Sequence, residues 1–237
     1  MALPKTFIIN RHQANQPFTY ADLDRLQKEY AKKVLAGEPG VVLFSEVAPV
    51  ITLGRGAQTA DACQEEIREA NAIPRMNVDR GGLATYHGPG QWVVFVVDRI
   101  ESLTGETRGV RILTERLLQS AQTVARKMGI QTRVSLESDA GLWCSDGKLA
   151  SVGVRIVDGV VQHGIALNVF QTRDSFRGLS NPCGLDKPPA FLANYLEYQS
   201  FSEQLFLRVR DIWSKSLLDQ FDGPLYLSAS SQSVVGS

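Results

Sequence analysis

The chain has 237 residues, with 25 lysines and arginines against 25 aspartates and glutamates and 43% hydrophobic residues. That length and ordinary globular composition suit one large domain or two small ones, burying roughly 70% of the unfolded surface, so a core forms without staples. Zero net charge argues against a nucleic-acid binder driven by bulk charge, and three scattered cysteines (Cys63, Cys144, Cys183) make no disulfide framework and fit a reducing, intracellular compartment.

In chain order, Thr19 to Leu35 reads as a helix, with Leu23, Leu26, Tyr30 and Val34 on one face and Gly37 as its stop. Residues 41–44, 50–53, 75–79 and 92–97 read as strands. The stretch between the last two is rich in glycine. Glu106 to Met128 reads as the clearest helix, with Val110, Leu113, Leu117, Val124 and Met128 inward and Gly129 behind. Residues 152–157 and 160–169 flank Asp158-Gly159, a strong hairpin signal. Residues 171–190 form a long polar loop. Ser200-Phe-Ser-Glu203 predicts a capping box that opens a last helix with Leu205, Val209, Ile212 and Trp213 inward. Residues 228–237 are small and polar and are expected to fray.

Strands and helices mix without regular βαβ alternation, which predicts an α+β fold, a mixed and largely antiparallel sheet with helices on one side. No linker divides residues 40 to 220, so residues 1–237 are expected to be one domain. No run approaches the roughly 18 apolar residues of a membrane span. The N-terminus lacks the apolar core of a secretory signal. The expectation is a cytoplasmic protein with no membrane or nucleic-acid partner.

Four stretches carry possible chemistry. Arg80-Gly-Gly-Leu-Ala-Thr-Tyr-His-Gly-Pro-Gly-Gln91 packs four glycines, an arginine and a histidine between two apolar strands. Adjacent glycines bare the backbone to a ligand, and N–H groups beside an arginine suit a carbonyl, carboxylate or phosphate. A wide strand connection would look similar. The pattern is no P-loop. Cys183 sits between Pro182 and Gly184. A lone cysteine is usually a small buried hydrophobe, but a turn in a polar loop would leave its thiol reachable. Lys148 follows Asp146-Gly147, ordinarily a solvated corner, yet the small apolar strand after it would carry the stem inward. His163 precedes Gly164 on a strand, where a satisfied core histidine is the commoner outcome. The three histidines and three cysteines have no zinc spacing, so no metal is expected. Pairing of His87 or His163 with Cys183, as in a cysteine hydrolase, stays open.

The residues 80–91 resemble the signature of the octanoyl-carrier-protein:protein octanoyltransferases, also called lipoyl(octanoyl) transferases. Gly147-Lys-Leu-Ala-Ser-Val-Gly-Val154, His163-Gly-Ile-Ala-Leu-Asn-Val169 and Asn181-Pro-Cys-Gly184 match in the family's order, covering about residues 50 to 185. The resemblance implies a fold like the biotin and lipoate protein ligases, with a small accessory sheet. It implies octanoyl transfer from octanoyl-acyl carrier protein to a lysine of lipoyl domains, those of 2-oxoacid dehydrogenase E2 subunits and the glycine cleavage H protein. Cys183 would be the acyl-accepting cysteine and Lys148 its partner. Substrate-binding positions would be Arg80, Gly81, Gly82, Leu83, Ala84, Thr85, Tyr86 and His87, then Ser151, Val152 and Gly153, then His163, Gly164, Ile165 and Ala166. No cofactor is implied, because a thioester needs no ATP to become an amide. The Pro188-Pro189 pair and Leu149, where isoleucine is common, depart from the family pattern.

Within that scheme, Gly81, Gly82 and Gly164 are expected to make room for an acyl channel. Backbone N–H groups or His87 are expected to form an oxyanion hole. Arg55, Arg75, Arg80 and Arg155 are candidates for a basic rim facing acidic partners. The competing readings are an ATP-dependent lipoate ligase, an amidotransferase between lipoyl domains, a non-catalytic acyl-protein binding module and a cysteine hydrolase.

Overall fold

The computed structural model describes residues 5–11, 17–58, 73–138, 140–177, 179, 188–196, 200–221 and 225–226, with side chains described between 17 and 221. Cys183, with most of the loop around it, and the 228–237 tail lie outside the described residues.

The strands are β1 (Lys5–Arg11), β2 (Val41–Glu46), β3 (Val50–Leu53), β4 (Arg75–Asn77), β5 (Ala84–His87), β6 (Gln91–Val97), β7 (Arg133–Ser135), β8 (Gly141–Trp143), β9 (Lys148–Val157), β10 (Val160–Asn168) and β11 (Leu225–Tyr226). The helices are α1 (Tyr20–Leu35), α2 (Ile100–Thr104), α3 (Val110–Lys127) and α4 (Glu203–Gln220), with a 3-10 turn at Leu192–Tyr195. Among the described residues the large sheet runs β11-β1-β2-β6-β10-β9-β8-β7, and a small sheet runs β4-β3-β5. β1 pairs in parallel with β2 and β11, and β3 with β4; the other pairings are antiparallel. The α+β class and the accessory sheet follow the expectation.

Helices cover both faces of the large sheet, not one. Val42, Phe44, Trp92, Val94 and Val96 pack against Leu113, Leu117 and Val124 of α3 and Phe206, Val209 and Trp213 of α4. The alternate residues Val41, Leu43, Val93, Phe95 and Val97 pack against Tyr20, Leu23 and Val34 of α1. The run Trp92–Val97 was the signal: an unbroken apolar strand is buried on both sides. Trp92 Nε1 donates to Phe206 O at 2.9 Å, and Trp213 Nε1 to Ser120 Oγ at 2.8 Å, so α3 and α4 are locked together and to the sheet.

Strands β2 and β4 end at Glu46 and Asn77 where the sequence reading gives 44 and 79, and three element starts differ. The helix expected from Glu106 begins at Val110, because Gly105 turns left-handed at φ 79° after α2 and the Thr104 hydroxyl bonds Ile100 O and Glu106 O. Val110 itself is exposed. The cap of α4 is Ser202, which accepts from Leu205 N at 3.2 Å, so Ser200 and Glu203 form no capping box across that start. The strand expected from 152 begins at Lys148, which carries the lysine off the corner and into the sheet. The Asp158-Gly159 hairpin is present, with φ 51° and 78°, the left-handed pair of a type I′ turn. Among the described residues no helix is long and apolar enough to cross a membrane.

Candidate active site

On the α1 face, a cavity of about 140 Å³ opens between the large sheet and the 80–87 segment. Its floor is two cross-strand rows, Ser151–Ala166–Val93 and Gly153–Gly164–Phe95, each spanning β9, β10 and β6. Its roof is Arg80, Gly82, Leu83, Thr85 and His87, with Tyr20 from the first turn of α1. Lys148, Ser138 and Ala140 line it on the side of β8. Val152, His163 and Ile165 complete the wall.

Lys148 is 8% exposed, and its ammonium lies 5.2 Å from the centroid of the Trp143 ring. Its stem runs across Gly141, where a Cβ would collide with Lys148 Cε and stand 2.7 Å from Ala150 O. Its backbone is held at both ends: Lys148 N donates to Pro188 O at 3.0 Å, and Ala190 N donates to Lys148 O at 2.9 Å. Cys183 lies outside the described residues, so its relation to Lys148 is not part of this geometry.

Arg80 is buried, and its guanidinium donates to Gly81 O, Leu83 O, Thr52 O and Thr52 Oγ1 at 2.8–3.1 Å. It pins the glycine-rich segment to β3. It is therefore no part of a basic rim. Arg155 is half-buried and paired with Asp79, while Arg55 and Arg75 are exposed. The glycines, too, serve the protein's own packing. A Cβ on Gly153 would stand 3.2 Å from Arg80 Cδ and from Gly81 O, so its absence seats the roof on β9. A Cβ on Gly164 would collide with Val94 O, so its absence lets β10 and β6 approach, not an acyl chain enter.

His163 is fully buried at φ 62°. Its Nε2 lies 2.8 Å from Asp79 Oδ1, its Nδ1 3.3 Å from the Tyr20 hydroxyl, and its backbone N–H donates to Gln27 Oε1 at 2.7 Å. Burial lowers its imidazole to about 3, against the pull of Asp24. A neutral ring donating from Nε2 to Asp79 and accepting the Tyr20 O–H at Nδ1 satisfies all of these contacts. The carboxylates of Asp24 and Asp79 converge with His163 to within 4.8 Å, the spacing of a metal cluster. Each already faces a cation, Lys28 at 2.6 Å on Asp24 and Arg155 on Asp79, so the group reads as a balanced network behind the cavity wall.

Most of the sequence-derived site residues meet at this cavity: Lys148, Arg80, Gly82, Leu83, Thr85, His87, Ser151, Val152, Gly153, His163, Gly164, Ile165 and Ala166. Gly81, Ala84 and Tyr86 do not line it. Strand alternation on β5 sends Thr85 and His87 to the cavity and Ala84 and Tyr86 to the small core with Ile51 and Leu179. Sequence reasoning missed Tyr20, Val93, Phe95, Ser138 and Ala140. For Val93 and Phe95 the signal was their alternation along β6. Tyr20 sits in no linear motif, and only its place after the helix cap marked it.

The lipoyl protein ligase A/B catalytic domain family model matches residues 20–209. An octanoyltransferase of Magnetococcus marinus is 37% identical over 153 residues, 64% of this chain and 67% of that protein. One of Geobacter metallireducens is 38% identical over 162 residues, 68% of this chain and 70% of that protein. One of Shewanella putrefaciens is 34% identical over 184 residues, 78% of each. Among solved structures, a lipoate-protein ligase A bound with ATP superposes with a TM-score of 0.67 at 12% identity, covering 96% of this chain and 88% of that one. A bi-partite lipoate protein ligase from Thermoplasma acidophilum gives 0.65 at 12% identity, covering 96% and 86%. The structural likenesses establish the fold. The family model and the identity shared with the octanoyltransferases show that the chain belongs to the lipoyl protein ligase A/B catalytic domain family, on its octanoyltransferase side.

Proposed function

We propose that this acyltransferase, with residues 1–237 as one catalytic domain in the cytoplasm, moves an octanoyl group from octanoyl-acyl carrier protein to a lysine of a lipoyl domain. The acceptors are the lipoyl domains of 2-oxoacid dehydrogenase E2 subunits and the glycine cleavage H protein. The thiolate of Cys183 attacks the carrier thioester, a new C–S bond forms, and the carrier leaves as its thiol. The lysine amine then attacks the acyl-enzyme, the C–N bond forms, and the C–S bond to Cys183 breaks. Lys148 as ammonium steadies the thiolate and protonates the departing carrier sulfur, and the amine so formed takes the proton that the acceptor lysine loses as the amide forms.

The observation that supports this reading best is the position of Lys148. It is a buried lysine on the wall of an apolar cavity, with its backbone hydrogen-bonded to Pro188 and Ala190, where the segment holding Cys183 rejoins the described chain. The lining by Val93, Phe95 and Ala166 suits an alkyl chain. Burying seven carbon groups at about 0.8 kcal/mol each contributes about 6 kcal/mol before binding costs. That separates medium chains from very short ones.

Intact mass after mixing with octanoyl carrier protein tests the thioester. One octanoyl group, removed by hydroxylamine, is expected on the wild type and none on Cys183→Ser. A hydroxylamine-labile adduct that forms elsewhere in Cys183→Ser, located by peptide mass, sinks the assignment. Lys148→Ala is expected to fold and to lose transfer at least hundredfold; unchanged turnover would remove the lysine from the mechanism. Free octanoate with ATP is expected to give no product, which separates this reading from a ligase.

A further inference from the structure

Behind the roof of the cavity runs a hydrogen-bond chain whose direction is set from one end. Backbone carbonyls only accept. Asn168 Nδ2 donates to Lys148 O at 3.3 Å and to Ala190 O at 3.1 Å, which leaves its Oδ1 as an acceptor. Gln91 Nε2 donates to that Oδ1 at 2.8 Å and to Tyr86 O at 3.3 Å. Gln91 Oε1 therefore accepts, and the atom 2.7 Å from it is His87 Nδ1. Nδ1 must carry the hydrogen. Burial, above all, keeps this ring neutral, lowering it to about 3. A neutral imidazole has one N–H, so Nε2 is a bare acceptor.

His87, Gln91 and Asn168 are each 5% exposed, and the His87 ring is stacked on Tyr20 with centroids 5.1 Å apart. The ring cannot turn over without breaking the chain. Among the described residues no hydrogen bond reaches Nε2, and His87 lines the acyl cavity. An acceptor there repels a carbonyl oxygen or an oxyanion, which removes His87 from the oxyanion hole expected of it. The alkyl chain and the thioester bring no donor to the reacting centre. The attacking amine does.

We propose that Gln91 and Asn168 are positioning residues that hold His87 as a hydrogen-bond acceptor, and that His87 receives an N–H of the acceptor lysine and aims its lone pair at the acyl carbon. His87 takes no proton in this step; the electron pair of the broken C–S bond leaves on sulfur. The inference rests on the octanoyl-transfer reading and deepens it.

Two measurements test it. Nitrogen-15 shifts of the histidine rings in the full chain report the tautomer without any substrate. Nδ1–H is expected in the wild type at neutral pH, and a mixture in Gln91→Leu and Asn168→Ala. An Nε2–H ring or an imidazolium in the wild type overturns the positioning claim. Rapid-mixing kinetics then separate acylation of the enzyme from amide formation. His87→Asn keeps a donor near Nδ1 and deletes the acceptor, and it is expected to slow amide formation at least tenfold more than acylation. Gln91→Leu is expected to slow the same step by a smaller factor. Equal slowing of both steps would assign the acceptor to the carrier's own N–H groups and overturn the amine assignment. If the wild type forms no acyl-enzyme at all, the octanoyl-transfer reading fails while the tautomer measurement still decides the clamp.

Discussion

Gly141 lacks a side chain where Lys148 needs the space. A methyl group there would meet Lys148 Cε and sit 3.2 Å from the ammonium nitrogen. Gly141→Ala is therefore expected to displace the ammonium and reduce transfer at least tenfold, with a stability loss of about 1–3 kcal/mol from overpacking against Ala150 O. Mass-detected transfer and urea unfolding on the same sample check both effects; full activity with the stability loss would show that the lysine position tolerates the shift. Lys148 was legible in the sequence because small residues follow it, and Ser151 and Gly153 leave the strand face open. Gly141 was not, since a glycine speaks only through the neighbour that fills its place, and that neighbour is seven residues away. Arg80 was legible as an arginine of the cavity, and only its place on a basic rim was misread. Its buried donors find backbone carbonyls of the roof and β3, contacts that no linear motif records.

At the scale of elements, α1 owes its start to Thr19, whose hydroxyl accepts from Asp22 N at 3.1 Å and donates to the Asp22 carboxylate at 2.6 Å. The same carboxylate accepts from Thr19 N at 3.1 Å, which completes a capping box. The Thr19 hydroxyl, first of all, holds the Asp22 carboxyl below the usual carboxylate range. Its stabilisation is present above the unfolded value near pH 4 and is lost as pH falls through the lower folded value. Thr19→Ala is expected to cost about 1 kcal/mol at pH 7 in urea unfolding, with a smaller difference below pH 3. Tyr20, the next residue, roofs the cavity, so KM for the acyl donor should rise as the turn frays. α1, α3 and α4 and the strands β6, β9 and β10 were legible from their apolar pattern, whereas β1 and the five-residue α2 were not read. β7 and β8, with three residues each, hold too few positions to show a period, and β5 hid inside a glycine-rich stretch that reads as loop.

Across the whole molecule, helices on both faces leave the cavity's two histidines, His87 and His163, inside. An unfolded His87 titrates near 6.5, while the folded one stays neutral down to about 3. The unfolded chain binds the extra proton between those values, so stability falls as pH drops below 6.5. The loss attributable to His87 is about 2 kcal/mol between pH 7 and pH 5. His163, also lowered to about 3 by burial, adds a loss of the same sign, so urea midpoints across that range should show both and His87→Asn should remove about half of the slope; an unchanged slope would place the proton elsewhere. The α+β class was legible in the mixed order of strands and helices. The two-sided layering was written in the apolar run 92–97 but required knowing which strand was central.

The pairing of Lys148 with Pro188 and Ala190 has an evolutionary corollary. The lysine's backbone is moored to Pro188 and Ala190, downstream of the stretch that holds Cys183, so that anchorage does not run through the stretch itself. On the proposed reading, descendants of this scaffold can vary that stretch while the lysine assigned to the proton keeps its mooring.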